Sequence, residues 1–132
     1  MSQENVEIVR HMLEAYTQGG FAAAAEFAYP DLEMRFSASH PLSGTFRGAG
    51  AAQAMTDFVK SFDDFRGEAE QIIDADGDRV AVIYRERGRP RGSMIEFNEL
   101  WGIVFTLRDG KVARMEWFDR PAEAVKAVGL DD

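Results

Sequence analysis

Phe97-Asn98-Glu99-Leu100-Trp101-Gly102-Ile103-Val104-Phe105-Thr106-Leu107-Arg108-Asp109-Gly110-Lys111-Val112-Ala113-Arg114-Met115-Glu116-Trp117-Phe118 decides the fold. Two β-rich runs flank Asp109-Gly110, a pair that readily takes the positive φ angles of a tight hairpin turn. The runs predict strands over 93–108 and 111–119. Upstream, Asp76-Gly77 sits between two more such runs and predicts strands over 65–75 and 79–88. The second half is therefore an antiparallel meander.

The first half reads differently. Val6, Val9, Leu13 and Tyr16 recur at helical spacing, so a helix is expected from a Ser2 cap to about Gln18, ended by Gly19-Gly20. A second short helix is expected from Phe21 to about Ala28, broken at Tyr29-Pro30-Asp31. Leu32, Met34 and Phe36 alternate with Glu33 and Arg35, the period of a half-buried strand. Ser37 to Gly48 reads as a loop. A third helix is expected from Gly50 to Phe62, with Met55, Phe58, Val59 and Phe62 inward, and a last one over 121–128, closed by Gly129. Helices first and strands later argue for α+β. The expected architecture is a cone-shaped α+β barrel: three N-terminal helices on one face of a strongly curved, mostly antiparallel sheet, with a short C-terminal helix. The 132 residues suit one domain, 1–132, able to bury a core unaided.

Composition narrows the function. There is no cysteine, which excludes disulfides and thiolate chemistry. The two histidines lie far apart, so no transition-metal site and no cofactor are expected. Net charge of −8 disfavours nucleic acid and anionic membrane. The start lacks a signal-peptide pattern and no apolar run reaches bilayer length, which predicts a soluble cytoplasmic protein. Arg85, Arg87, Arg89 and Arg91 look like a hairpin tip, either a solvated turn or a seat for an anionic partner. Phosphate loops, nucleophile elbows and His-Glu-x-x-His pairs are absent.

The residues resemble the SnoaL-like branch of the nuclear-transport-factor-2-like superfamily. The opening Ser2 to Arg10 is similar, as are Tyr16 to Gly20, Tyr29 to Glu33, Phe46-Arg47-Gly48, Thr106 to Val112, Trp117 to Arg120, and Ala127 to Leu130. The resemblance implies the cone fold, a homodimer and a mostly apolar ligand pocket. The superfamily spans ketosteroid isomerases, polyketide cyclases, epoxide hydrolases and non-catalytic binders, so fold alone selects no reaction. By the resemblance, the isomerases' tyrosine falls near Met12, their base near Phe36 and their protonated acid near Ile103 or Gly102. None of these side chains can fill its role.

Other groups are candidates. Alternation places Phe97, Glu99, Trp101, Ile103, Phe105 and Leu107 on one strand face. There Glu99 would be a desolvated general acid or base, or else reach solvent at a strand end. Asp119 follows Ala113, Met115 and Trp117, either at the rim of the concave face or capping the next helix. His40 could titrate near neutrality or be an ordinary loop histidine. Tyr16 could orient a ligand or simply pack. Tyr84 and Glu86 share a face with Val80 and Val82 and line the pocket or point outward. The expected pocket wall is Tyr16, Met34, Phe36, Met55, Phe58, Phe62, Tyr84, Trp101, Met115 and Trp117. The expected function is binding of a small, largely apolar molecule, with proton-transfer chemistry or with none. A convex sheet face with exposed Phe or Leu would recruit a second copy.

Overall fold

The computed structural model describes residues 2–75 and 77–129, and of Ser2 only the backbone. The Ser2 side-chain cap, Asp76 of the first hairpin and Leu130 of the tail lie outside the described residues. In chain order come α1 (Ser2–Ala24), a 3₁₀ turn (Ala25–Phe27), β1 (Ala28–Phe36), β2 (Gly44–Arg47), α2 (Gly48–Lys60), β3 (Phe62–Asp74), β4 (Arg79–Pro90), β5 (Phe97–Arg108), β6 (Lys111–Phe118) and α3 (Pro121–Ala127).

Most of this matches the expected order. The first two helices are joined, because Gly20 takes φ 73° and ψ −163°, a break only glycine accepts cheaply, and the second ends in the 3₁₀ turn. Pro30 lies inside β1 in the irregular stretch between Ala28 and Glu33, where it disturbs no regular ladder. The expected loop 37–48 contains β2, four mostly exposed residues without alternation. Phe62 opens β3 rather than closing the third helix: Ser61 ends α2, its Oγ donating to the Phe58 carbonyl at 2.6 Å. Arg85, Arg87 and Arg89 are not a turn; they lie within β4, and the tip comes after Pro90. Arg85 bridges strands instead, donating to Glu70 Oε2 at 2.6 Å and Asn98 Oδ1 at 2.7 Å.

The six strands run β2-β1-β6-β5-β4-β3, with only β1 and β6 parallel. The sheet is curved and unclosed, its edges β2 and β3 remaining apart, so it is not a sealed barrel. The main core forms where α1 and α2 meet one sheet face: Val80, Val82 and Tyr84 from β4, Ile103 and Phe105 from β5, Val112 and Met115 from β6. α3 covers the other face, against Ala81 and Val104 of opposite parity, so the helices are not confined to one side. Gly102 permits that approach, since a Cβ there would stand 2.5 Å from the Ala124 Cβ. No described helix is long and apolar enough to cross a membrane. Among the described residues the exposed large apolar side chains are Met94 (96%) and Ile95 (78%), at the β4–β5 tip, and none is a Phe or Leu.

Candidate functional site

Strand period 2 puts Val80, Val82, Tyr84 and Glu86 on the inner face of β4. The first three build core. The fourth is a carboxylate only 1% exposed. Trp101 Nε1–H donates to Glu86 Oε1 at 2.9 Å, and Oε2 has no hydrogen-bond partner. His40 Nε2 stands 3.6 Å from the same Oε1.

His40 is 2% exposed although its loop is otherwise superficial. Its ring sits among Phe36 and Trp101 (centroids 4.6 Å), Trp117 (5.3 Å) and Phe58 (5.4 Å). The Leu42 N–H donates to Nδ1 at 3.0 Å, which assigns the ring proton to Nε2, the nitrogen that faces Glu86. An acid and an imidazole thus share a dry aromatic box.

Beside the box is a small apolar cavity of about 40 Å³. Met12, Met34, Met55 and Met115, four of the chain's six methionines, line it with Tyr16, Tyr84, Ile103, Phe105 and Trp117. Thioether chains adapt readily, so these walls can yield to a larger guest. Both phenols stay protonated. Burial, then the Glu86 charge, pushes Tyr16 up to about 12. Burial, then Glu86, then Tyr16, pushes Tyr84 higher still. Both are therefore hydrogen-bond donors at neutral pH.

The residues expected from sequence divide into groups. Tyr16, Met34, Met55, Tyr84, Met115 and Trp117 border the cavity. Phe36, Phe58 and Trp101 instead enclose His40. Phe62 packs on Phe58 at 5.0 Å and lines no part of the cavity. Glu99 is exposed, which removes the desolvation that made it attractive: it lies beyond the buried stretch of β5, beside Glu86 in register. Asp119 does not cap α3, whose first turn is closed by the Glu123 carboxylate accepting from Arg120 N–H. It accepts a short hydrogen bond from Ser39 Oγ and so tethers the His40 loop. The Ser37 hydroxyl, then that of Ser39, holds its carboxyl below the ordinary range. Glu86 is the acid that sequence did not select, although an acid closing the run Val80-Val82-Tyr84 was the available signal. Among the described residues no group of three or more His, Asp or Glu could hold a metal ion.

Residues 9–115 match the SnoaL-like domain, and the chain belongs to that family. An uncharacterised protein of Mycobacterium tuberculosis is 26% identical over 121 residues, covering 89% of this chain and 91% of its own. An NTF2-like protein from Burkholderia xenovorans is 25% identical with a TM-score of 0.72, 98% of each chain being covered. Another from Burkholderia thailandensis reaches a TM-score of 0.79 at 23% identity, over 92% of this chain and 96% of that one. TerC, crystallised with polyporic acid, has a TM-score of 0.74 at 22% identity over 95% and 98%; that likeness is one of fold. Of the positions that the resemblance sets against the isomerases' polar groups, Met12 and Ile103 border the cavity, Gly102 faces α3, and Phe36 stacks on Trp117. The polar groups of this chain stand elsewhere, at Tyr16, Tyr84 and Glu86.

Proposed function

We propose that this SnoaL-like domain admits a small, largely apolar molecule bearing an acceptor oxygen, and moves a proton on a carbon next to that oxygen. The observation that carries the proposal is the buried Glu86 carboxylate, with one oxygen unpaired, beside an apolar cavity furnished with two protonated phenols. Glu86 would take the proton from carbon. The electron pair would move onto the carbonyl oxygen, which Tyr16 or Tyr84 would hold as an enolate by hydrogen bonding. Returning the proton to another carbon completes an isomerisation. His40 Nε2–H would stabilise the Glu86 charge before the proton is taken and after it is returned. The guest must first displace methionine side chains, since the cavity of about 40 Å³ is smaller than a ring.

Deuterium uptake into 2-tetralone in D₂O tests this, followed by proton NMR. Uptake should exceed the buffer rate and fall roughly 100-fold or more in Glu86→Gln, the size of a lost general base. Buffer-level uptake in the unmodified protein would remove the catalytic step. One observation favours a second reading, a binder without turnover: His40 and Glu86 are almost wholly buried. Methionine-methyl shifts on adding 2-tetralone, without uptake, would select that reading.

A further inference from the structure

The small apolar cavity shares two wall residues, Leu13 and Tyr84, with a cleft between α1 and β3. The cleft holds about 370 Å³ and adds polar side chains, Arg10, Glu14 and Thr17 from α1 and Glu68, Glu70 and Gln71 from β3, to a floor that includes Ala69 and Ile72. Tyr84 is buried at the boundary, and Gly67 makes its position possible. A Cβ at Gly67 would stand 1.9 Å from the Tyr84 hydroxyl oxygen and 2.6 Å from Cζ. The missing side chain lets the phenol rest against β3, where Tyr84 borders both the cavity and the cleft.

We infer that cleft and cavity are two halves of one binding site, divided by Tyr84, for an elongated amphipathic molecule. Its apolar end occupies the cavity, and its uncharged or cationic polar end lies in the cleft. This rests on the cavity being a ligand site, as proposed above. The shared walls carry the inference; the charges set only the sign of the outer end. Glu14 and Glu68 supply the surplus charge there, since Glu70 is paired with Arg85 at 2.6 Å and Arg10 with Glu7 at 3.5 Å.

Methyl and amide NMR with four probes decides it: xenon, octanol, octyltrimethylammonium and octyl sulfate, the last two below their micelle concentrations. Xenon, which enters dry apolar cavities, should shift the Met12 and Met115 methyls and leave the Gly67 and Gln71 amides in place. Octanol and octyltrimethylammonium should shift both sets with one Kd. Octyl sulfate should bind about fivefold more weakly than the cation. Glu14→Lys, an exposed change on α1, should reverse that order. Gly67→Ala should displace Tyr84 and weaken the octyl cation severalfold while xenon still binds. If xenon shifts the methyls but no octyl compound moves both sets together, or Glu14→Lys leaves the order unchanged, the inference is overturned and the cavity reading stands. If neither xenon nor any octyl compound moves the methyls, both fall.

Discussion

Glu33 and Glu86 are glutamates on opposite faces of one sheet, and the sheet treats them differently. On the outer face, Glu33 has arginines as register partners on both neighbouring strands, Arg47 on β2 and Arg114 on β6. Both reach its carboxylate, Arg47 at 2.7 Å and Arg114 at 3.3 Å. Arg114 and Arg35 continue the ladder to Glu116 at 3.8 and 3.9 Å. On the inner face, Glu86 has Gly67 and Glu99 as register partners, so no cation stands beside it. It holds one indole N–H and faces one imidazole. Two arginines compensate the outer charge; the inner one is left with an unpaired oxygen in a buried aromatic site. A carboxylate kept at such a cost is better explained by chemistry than by stability.

The largest expected effect separates the two directly. Glu86→Ala leaves the indole N–H unpaired and the imidazole without its facing carboxylate around a new void, and should cost about 3 kcal/mol in urea unfolding. Glu33→Ala frees Arg47, which is exposed, and Arg114, which is half-buried, and should cost about 1 kcal/mol. Equal losses would break the comparison. A smaller effect sharpens it. Glu86→Gln keeps the shape but removes the charge, so Tyr16 should titrate below about 12, yet above 10 because burial is the larger cause. Glu33→Gln should leave Tyr16 unmoved. The sign for stability follows. A tyrosine raised from 10.0 to about 12 contributes stability below pH 10 that is lost as pH climbs to about 12, because the unfolded chain ionises first. Unfolding midpoints across that window should fall in the unmodified protein and fall less steeply in Tyr16→Phe, where Tyr84 still contributes.

The same contrast explains what could be seen from sequence. Period 2 and period 3.6 are imposed by burial, so β1, β4, β5, β6 and the α1 stripe were legible. β2 was not, because four exposed residues on a sheet edge carry no alternation. Glu99 and Glu86 stand opposite each other in register and both close apolar runs, yet one is exposed and the other buried. Alternation identifies a face but not where along a strand the cover ends. Cover at Glu86 comes from Trp101 and from His40 on a distant loop, contacts that no local pattern encodes. The arginines at 85, 87 and 89 pulled the reading toward a turn, although they occupy the outer face of the strand whose inner face carries Glu86.

The smallest expected effect concerns how that cover is held. Asp119 sits at the end of β6 and accepts from Ser39, eighty residues away in the chain, next to the buried His40. Asp119→Ala removes the tether but none of the aromatic contacts, so His40 should stay in its box while its loop loosens. Amide exchange at Leu42, which donates to His40 Nδ1, and at Ser43, which donates to the His40 carbonyl, should speed up a few-fold. Amides of β1 beside Glu33 should not change. The unmodified protein should show a related pH dependence. The Asp119 carboxyl is held below its ordinary 3.8, so its tether is present above that value and lost as pH falls through the lower one. Loop exchange, corrected for its intrinsic pH dependence, should therefore rise only in that acid range, and Asp119→Ala should abolish the rise. Unchanged Leu42 and Ser43 exchange would mean that the box alone secures His40, and that the inner carboxylate needs no support from the surface.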